Sequence, residues 1–120
     1  MHAGEMVEVT RFEQEDEIRT VGVALREEGG VHIFQRSSGR MTMLAFGEPA
    51  VCHRLTLDGD GLRTLMGVLG GERGVTDALL RFFESGDAVL ADLLDVCDRA
   101  GIARTFCCMG ERAGSMARAR

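Results

Sequence analysis

The chain contains no lysine, no tryptophan and no tyrosine, so all 14 of its basic side chains are arginines. A phosphate-binding loop of the form GxxxxGK[ST] is therefore excluded, because that loop uses a lysine to contact the phosphates. Catalysis through a Schiff base on a lysine amine is excluded for the same reason. These absences remove two classes of enzyme before any pattern in the sequence is considered.

Long apolar runs are also missing, which predicts that the chain does not span a membrane. Residues 1–10 lack the basic start and apolar core of a secretory signal, so we expect a cytoplasmic protein. Four cysteines in that compartment are expected to be reduced thiols. At 120 residues, the chain is expected to form a single domain over residues 1–120.

Charge is unevenly placed around a net charge of −5. Residues 1–17 are rich in glutamate and aspartate, and we interpret them as an acidic arm or an edge strand. Residues 110–120 are rich in glycine, alanine and arginine, which predicts a flexible tail. The negative net charge argues against nucleic-acid binding through bulk charge, although a local basic face is compatible with it.

Apolar and polar residues alternate along four segments between residues 18 and 57, with a turn signal after each. This period of two is typical of strands with one buried face. The pair Gly29-Gly30 can supply the positive φ angles of a hairpin turn. The predicted strands cover residues 18–26, 31–36, 40–46 and 50–57, with a weaker strand at 7–12.

The period changes to that of a helix after residue 57, where Asp58 or Asp60 can act as the N-cap. Further helices are predicted at about 76–84 and 88–100, followed by a strand at about 103–109. The expected fold is α+β. It consists of an antiparallel meander of four to five strands, then three helices packed on one face, with a possible last strand near the C-terminus.

The predicted order of four strands and a helix over residues 18–69 is similar to that of the single-stranded-DNA-binding transcriptional coactivators and of the Whirly domains. The similarity is one of topology, and no family motif is matched residue by residue. Those families use lysine and aromatic residues that this chain lacks.

Arginine and phenylalanine are interleaved on the predicted sheet and form a candidate binding face. Such a mixture is used to bind single-stranded nucleic acid, whereas the plainer interpretation is a solvated outer face. The predicted sheet also has two partly apolar faces, of which the helices can cover one, so a homodimer is expected. The candidate binding residues are Arg26, Phe34, Arg36, Phe46 and Arg54.

The cysteines show no CxxC spacing, and the neighbours Cys107 and Cys108 must point to opposite faces of a strand. We expect structural thiols, with Cys97, Cys107 and Cys108 as the weak candidates for metal binding or redox chemistry. No catalytic constellation is found, so neither an enzyme nor a cofactor is expected.

The leading hypothesis is a small regulatory or adaptor module that binds a protein partner through its sheet face or edge. The alternatives are a transcription-associated protein that binds single-stranded nucleic acid, and a thiol-based metal or redox protein.

Overall fold

The computed structural model describes residues 4–110 and the backbone of residues 118–119. In chain order its elements are β1 (Met6–Gln14), β2 (Glu17–Leu25), β3 (Val31–Ser38), α1 (Arg40–Phe46), β4 (Ala50–Leu57), α2 (Gly59–Leu69), α3 (Val75–Phe83), α4 (Leu90–Arg99), β5 (Thr105–Gly110) and β6 (Arg118–Ala119). All six strands form one antiparallel sheet in the order β1-β2-β3-β4-β5-β6.

The α+β fold expected from the sequence is confirmed, and its core lies between the sheet and the helices that follow β4. The cross-strand row Val23, Ile33 and Leu55 is fully buried, because successive strand residues alternate between the two faces. Helices α2, α3 and α4 cover this row with Leu65, Phe83 and Leu93 among others. We call this side of the sheet the helix face and the opposite side the open face.

The ends of the helices are fixed by specific hydrogen bonds. Asp58 is the N-cap of α2, and its Oδ1 accepts from the backbone N–H of Gly61 at 2.7 Å. At the start of α4, the N–H of Leu90 donates to Oε1 of buried Gln35 on β3 at 2.8 Å. A sheet side chain therefore satisfies one of the N–H groups that a helix start leaves without a partner.

The predicted strand at residues 40–46 is wrong, because this segment is the helix α1. It begins after Gly39 and ends at Gly47, whose φ of 71° is the left-handed conformation typical of the residue after a helix. The four strands that precede α2 are therefore β1 to β4, and residues 18–69 do not contain four consecutive strands. The topological similarity noted above rested on the strand that is absent.

Part of the acidic N-terminal region forms the edge strand β1, which pairs with β2 and carries an irregularity between Glu8 and Thr10. The predicted flexible tail, residues 110–120, lies outside the described residues except for Gly110, the end of β5, and the backbone of β6. Among the described residues, no helix has the length and apolar character needed to cross a membrane.

Candidate functional site

Four of the five predicted binding residues share the open face. Phe34 on β3 lies directly across from Arg54 on β4, and Arg36 lies across from Cys52. Arg26 follows β2 and lines a shallow hollow at the end of the same face with Thr56 and other residues. The structure therefore brings Arg26, Phe34, Arg36 and Arg54 to one side of the sheet.

Several polar groups on the open face already have partners within the fold. Arg26 donates to a carboxylate oxygen of Glu28 at 2.7 Å and to the carbonyl of Leu57 at 3.3 Å. Half-buried Arg54 directs one Nη toward the sulfur of Cys107, 3.8 Å away. These arginines are thus less available to a ligand than their number suggests.

A histidine completes the open face. The Nδ1 atom of His32 lies 2.8 Å from the hydroxyl of Thr56 on the neighbouring strand. Burial, followed by the positive charges of Arg54 and Arg26, lowers the pKa of His32. The neutral form of the ring is therefore favoured over the charged form.

Phe46 was predicted on the same binding face, and this prediction is wrong. Phe46 belongs to α1, and its ring lies 5.4 Å from the ring of His53. His53 pairs with Gln35, the residue that contacts α4, so both side chains point to the helix face. Phe46 is separated from Phe34 by the thickness of the sheet.

Helix α1 instead creates a surface that the sequence did not predict. Of its seven residues only Thr42 is buried. Four large apolar side chains are exposed on it: Met41 (63%), Met43 (40%), Leu44 (72%) and Phe46 (49%). We call these four residues the α1 surface. Helices normally bury their apolar residues against the core, so this one is unusual for a water-facing element.

The α1 helix is held by its first turn rather than by an apolar face. The Oε1 atom of Glu17 accepts from the backbone N–H groups of Met41 at 3.1 Å and Thr42 at 3.3 Å. The other carboxylate oxygen accepts from the hydroxyl of Thr42. A carboxylate at this place satisfies N–H groups that the helix leaves free and complements the positive end of its dipole.

A second contact to α1 comes from three neighbouring rings. The ring of His53 is tilted against that of Phe46, with centroids 5.4 Å apart, and stacks on that of Phe106, with centroids 5.7 Å apart. Burial lowers the pKa of His53, and its Nδ1 atom is buried with no hydrogen-bond partner among the described residues. Burial therefore favours the neutral imidazole over the charged form at this position.

A cleft of about 510 Å³ adjoins the start of α1. It lies between the β1–β2 turn and the segment that joins α3 to α4, and Met41 and Phe12 contribute apolar surface to it. Arg19 crosses the cleft: it donates to the carbonyl of Gly86 and lies over the ring of Phe12 at 5.4 Å. The acidic lining residues are Glu13, Glu15, Asp16, Glu17 and Asp87.

The candidate thiols do not form a cluster. Cys97 is buried on α4, and burial, followed by the charge of Asp98, raises its pKa to about 11. Cys107 lies across from Arg54 on the open face, and Cys108 lies across from His53 on the helix face. Within residues 4–110, no group of three or more histidine, cysteine or acidic residues could hold a metal ion.

Comparisons with known proteins give no relative. No family model matches the chain, no curated protein matches it, and no solved structure matches it. The α1 surface, the acidic cleft beside it and the open face are the features of the molecule that bear on its function.

Proposed function

We propose that this chain is a non-enzymatic, cytoplasmic protein-binding module of the regulatory or adaptor kind, which takes its partner on the α1 surface. The observation that carries the proposal is the exposure of Met41, Met43, Leu44 and Phe46 on one short helix. Four of the seven exposed large apolar residues in the described part of the chain lie on this element.

Four exposed apolar side chains on one short helix favour binding of a partner that covers them. Complete burial of one such side chain is worth about 1.5–3 kcal/mol, so covering four half-exposed ones would contribute several kcal/mol to binding. Methionine suits such a role because its flexible thioether can adapt to an irregular apolar surface. A ligand that supplies its own apolar side chains, such as a protein segment, matches these properties.

The sheet edge is a less favourable docking site than α1. The edge strand β1 carries the irregularity near Glu8 and exposed charges at Arg11 and Glu13. Bulges and charged side chains are devices that prevent edge strands from pairing with other chains. At the other edge, the outer side of β5 is paired with β6. These observations favour docking on a helix over strand addition.

Selection of peptides from a displayed random library against the full chain tests the proposal. We expect enriched peptides that bind the wild type and lose binding to Leu44→Asp. The matched control is Val68→Asp, which introduces the same charge at an exposed apolar position (54%) on α2 and should leave binding unchanged. Peptides that bind Leu44→Asp as well as the wild type would contradict docking on α1.

A homodimer is a further proposal, with the open face, which the helices leave uncovered, as the contact between the two copies. Sedimentation velocity over a range of concentrations measures it directly. A dimer that Phe34→Asp converts to a monomer and Leu44→Asp leaves intact supports the proposal, and a monomer at every concentration contradicts it.

The open face supports a second candidate function, binding of single-stranded nucleic acid. The supporting observation is that Phe34, Arg36 and Arg54 lie together on neighbouring strands, as a base-stacking ring beside positive charge requires. Titration of a labelled oligothymidylate at two salt concentrations tests this candidate. Binding that weakens in Phe34→Ala and with added salt would support it, and no affinity at low salt would exclude it.

A further inference from the structure

We propose that the segment bound by the α1 surface is amphipathic and basic: its apolar side chains cover α1, and its arginine or lysine side chains enter the acidic cleft. This inference rests on the proposed function and names the chemistry of the partner. It follows from the continuity of two surfaces, one apolar and one acidic.

The two surfaces meet at Met41. This residue is 63% exposed as part of the α1 surface, and the same side chain lines the cleft of about 510 Å³. A segment lying along α1 therefore reaches the cleft without a break in contact. Because α1 has seven residues and a helix rises about 1.5 Å per residue, a partner helix of about two to three turns would cover both.

The cleft retains negative charge after its internal pairs are counted. Glu13 is paired with Arg11 at 2.6 Å, and Glu17 holds the first turn of α1. Glu15, Asp16 and Asp87 are exposed, and within the described residues no cation pairs with them.

Arg19 is the one cation among the lining residues, and its contacts are with the carbonyl of Gly86 and the ring of Phe12 rather than with a carboxylate. Its single positive charge offsets only part of the charge of the three carboxylates. The cleft therefore keeps a net negative charge for a positively charged partner. The same carboxylates would repel the phosphates of a nucleic acid at this site.

The described part of the chain's own C-terminal segment does not lie in this cleft. Arg118–Ala119 pairs with β5, at the opposite edge of the sheet from β1 and its turn to β2. With six strands spaced about 4.8 Å apart, the two edges are separated by roughly 24 Å. The occupant we infer is thus a segment of another protein.

Two synthetic peptides of about 14 residues test the inference, since this length forms about four helical turns. Both carry the same leucine face, and one has arginine and the other glutamate at the polar positions. Binding to the full chain is measured by calorimetry at low and high salt. We expect the arginine peptide to bind about tenfold more tightly at low salt, as three exposed charge pairs can provide, with a smaller difference at high salt.

Variants then assign the preference to the cleft. Glu15→Gln, Asp16→Asn and Asp87→Asn together should remove most of the difference between the two peptides. A second triple variant, Glu27→Gln with Glu72→Gln and Asp95→Asn, removes the same charge at exposed positions outside the cleft lining and should keep the difference. An equal loss of the affinity difference in both triple variants would overturn the inference, because the preference for the arginine peptide would then depend only on the net charge of the chain.

The outcomes separate this inference from the proposed function. If both peptides bind equally and Leu44→Asp abolishes both, docking on α1 stands and the basic partner is wrong. If Leu44→Asp changes neither affinity, the proposed function itself is wrong. A wild-type dimer that this variant dissociates would identify a second copy as the occupant and overturn the basic segment.

Discussion

The carboxylate of Glu17 is expected to hold helix α1 in place. Glu17→Ala removes a carboxylate that accepts two backbone N–H groups and one hydroxyl from the first turn of α1. Apart from Thr42, no residue of α1 is buried, and the contact of Phe46 with His53 at the helix end does not hold the first turn. We expect α1 to open locally while the rest of the fold persists.

The size of the effect follows from the number and kind of bonds lost. A hydrogen bond to a charged group contributes about 1.5–3 kcal/mol, and removal of an N-cap side chain costs about 0.5–2 kcal/mol. The three bonds share one carboxylate and are not additive, so we expect a loss of about 2 kcal/mol. Local opening by this amount corresponds to roughly 30-fold faster hydrogen exchange of the α1 amides.

Hydrogen exchange followed by mass spectrometry measures this change directly. Faster exchange should be confined to the amides hydrogen-bonded within α1, such as that of Gly47, which donates to the carbonyl of Met43 at 2.8 Å. Glu13→Ala, on the same hairpin but at an exposed position, is the matched control. If α1 exchanges at the same rate in Glu17→Ala and the wild type, the proposed attachment of the helix is refuted.

Three further changes test other parts of the structure. Gln35→Leu leaves the N–H of Leu90 without its partner and should lower the free energy of unfolding by about 1–3 kcal/mol, measured by urea denaturation. Gly39→Ala should disrupt the start of α1, because the φ of Gly39 is 125° and an added Cβ would lie 2.1 Å from the carbonyl oxygen of Asp16. Faster hydrogen exchange of the α1 amides would report this disruption. The lowered pKa of His53 means that the folded state binds fewer protons than the unfolded state. Stability should therefore fall as the pH drops below about 6.5, and His53→Gln should make that loss smaller; an unchanged slope in unfolding experiments between pH 7.5 and 5.5 would contradict this role.

The sheet and the later helices could be predicted because local signals agree with the final packing. The strands β2, β3 and β4 alternate with period two, and the buried row through Val23, Ile33 and Leu55 is the row that the alternation indicates. Asp58 was one of two candidate caps for α2, and the structure selects it. Where one face of an element is buried, its pattern in the sequence is strong.

Helix α1 was missed because its sequence, RMTMLAF, also alternates. The composition of this segment indicates a helix, which the alternation of apolar and polar residues does not reveal. Arginine, methionine, leucine and alanine favour helices, and the segment has no valine or isoleucine. The alternation reflects no buried face, since Met41 and Leu44 are both exposed. The element is specified by Glu17 and Gly39, which act through contacts between strand and helix that a single-sequence pattern does not show.

The open face could be predicted in part for the same reason. Phe34, Arg36 and Arg54 lie on one face because register follows once the strands are known, whereas their role in binding stays a prediction. Phe46 was misplaced together with its helix. The acidic cleft could not be predicted, because it joins the β1–β2 turn to the segment around Gly86, and these lie far apart in the sequence.

The way α1 is attached explains how the chain can present apolar residues without burying them. A helix that packs through its apolar stripe buries that stripe in its own core, so those side chains are not available to a partner. Here a carboxylate at the helix start and one contact between tilted rings at its end hold the element, so Met43 and Leu44 are left at the surface. The sequence pattern of α1 predicts a strand, whereas the segment folds as a helix, and this disagreement lies at the surface we propose for docking. Such a disagreement is expected where function rather than stability determines the residues.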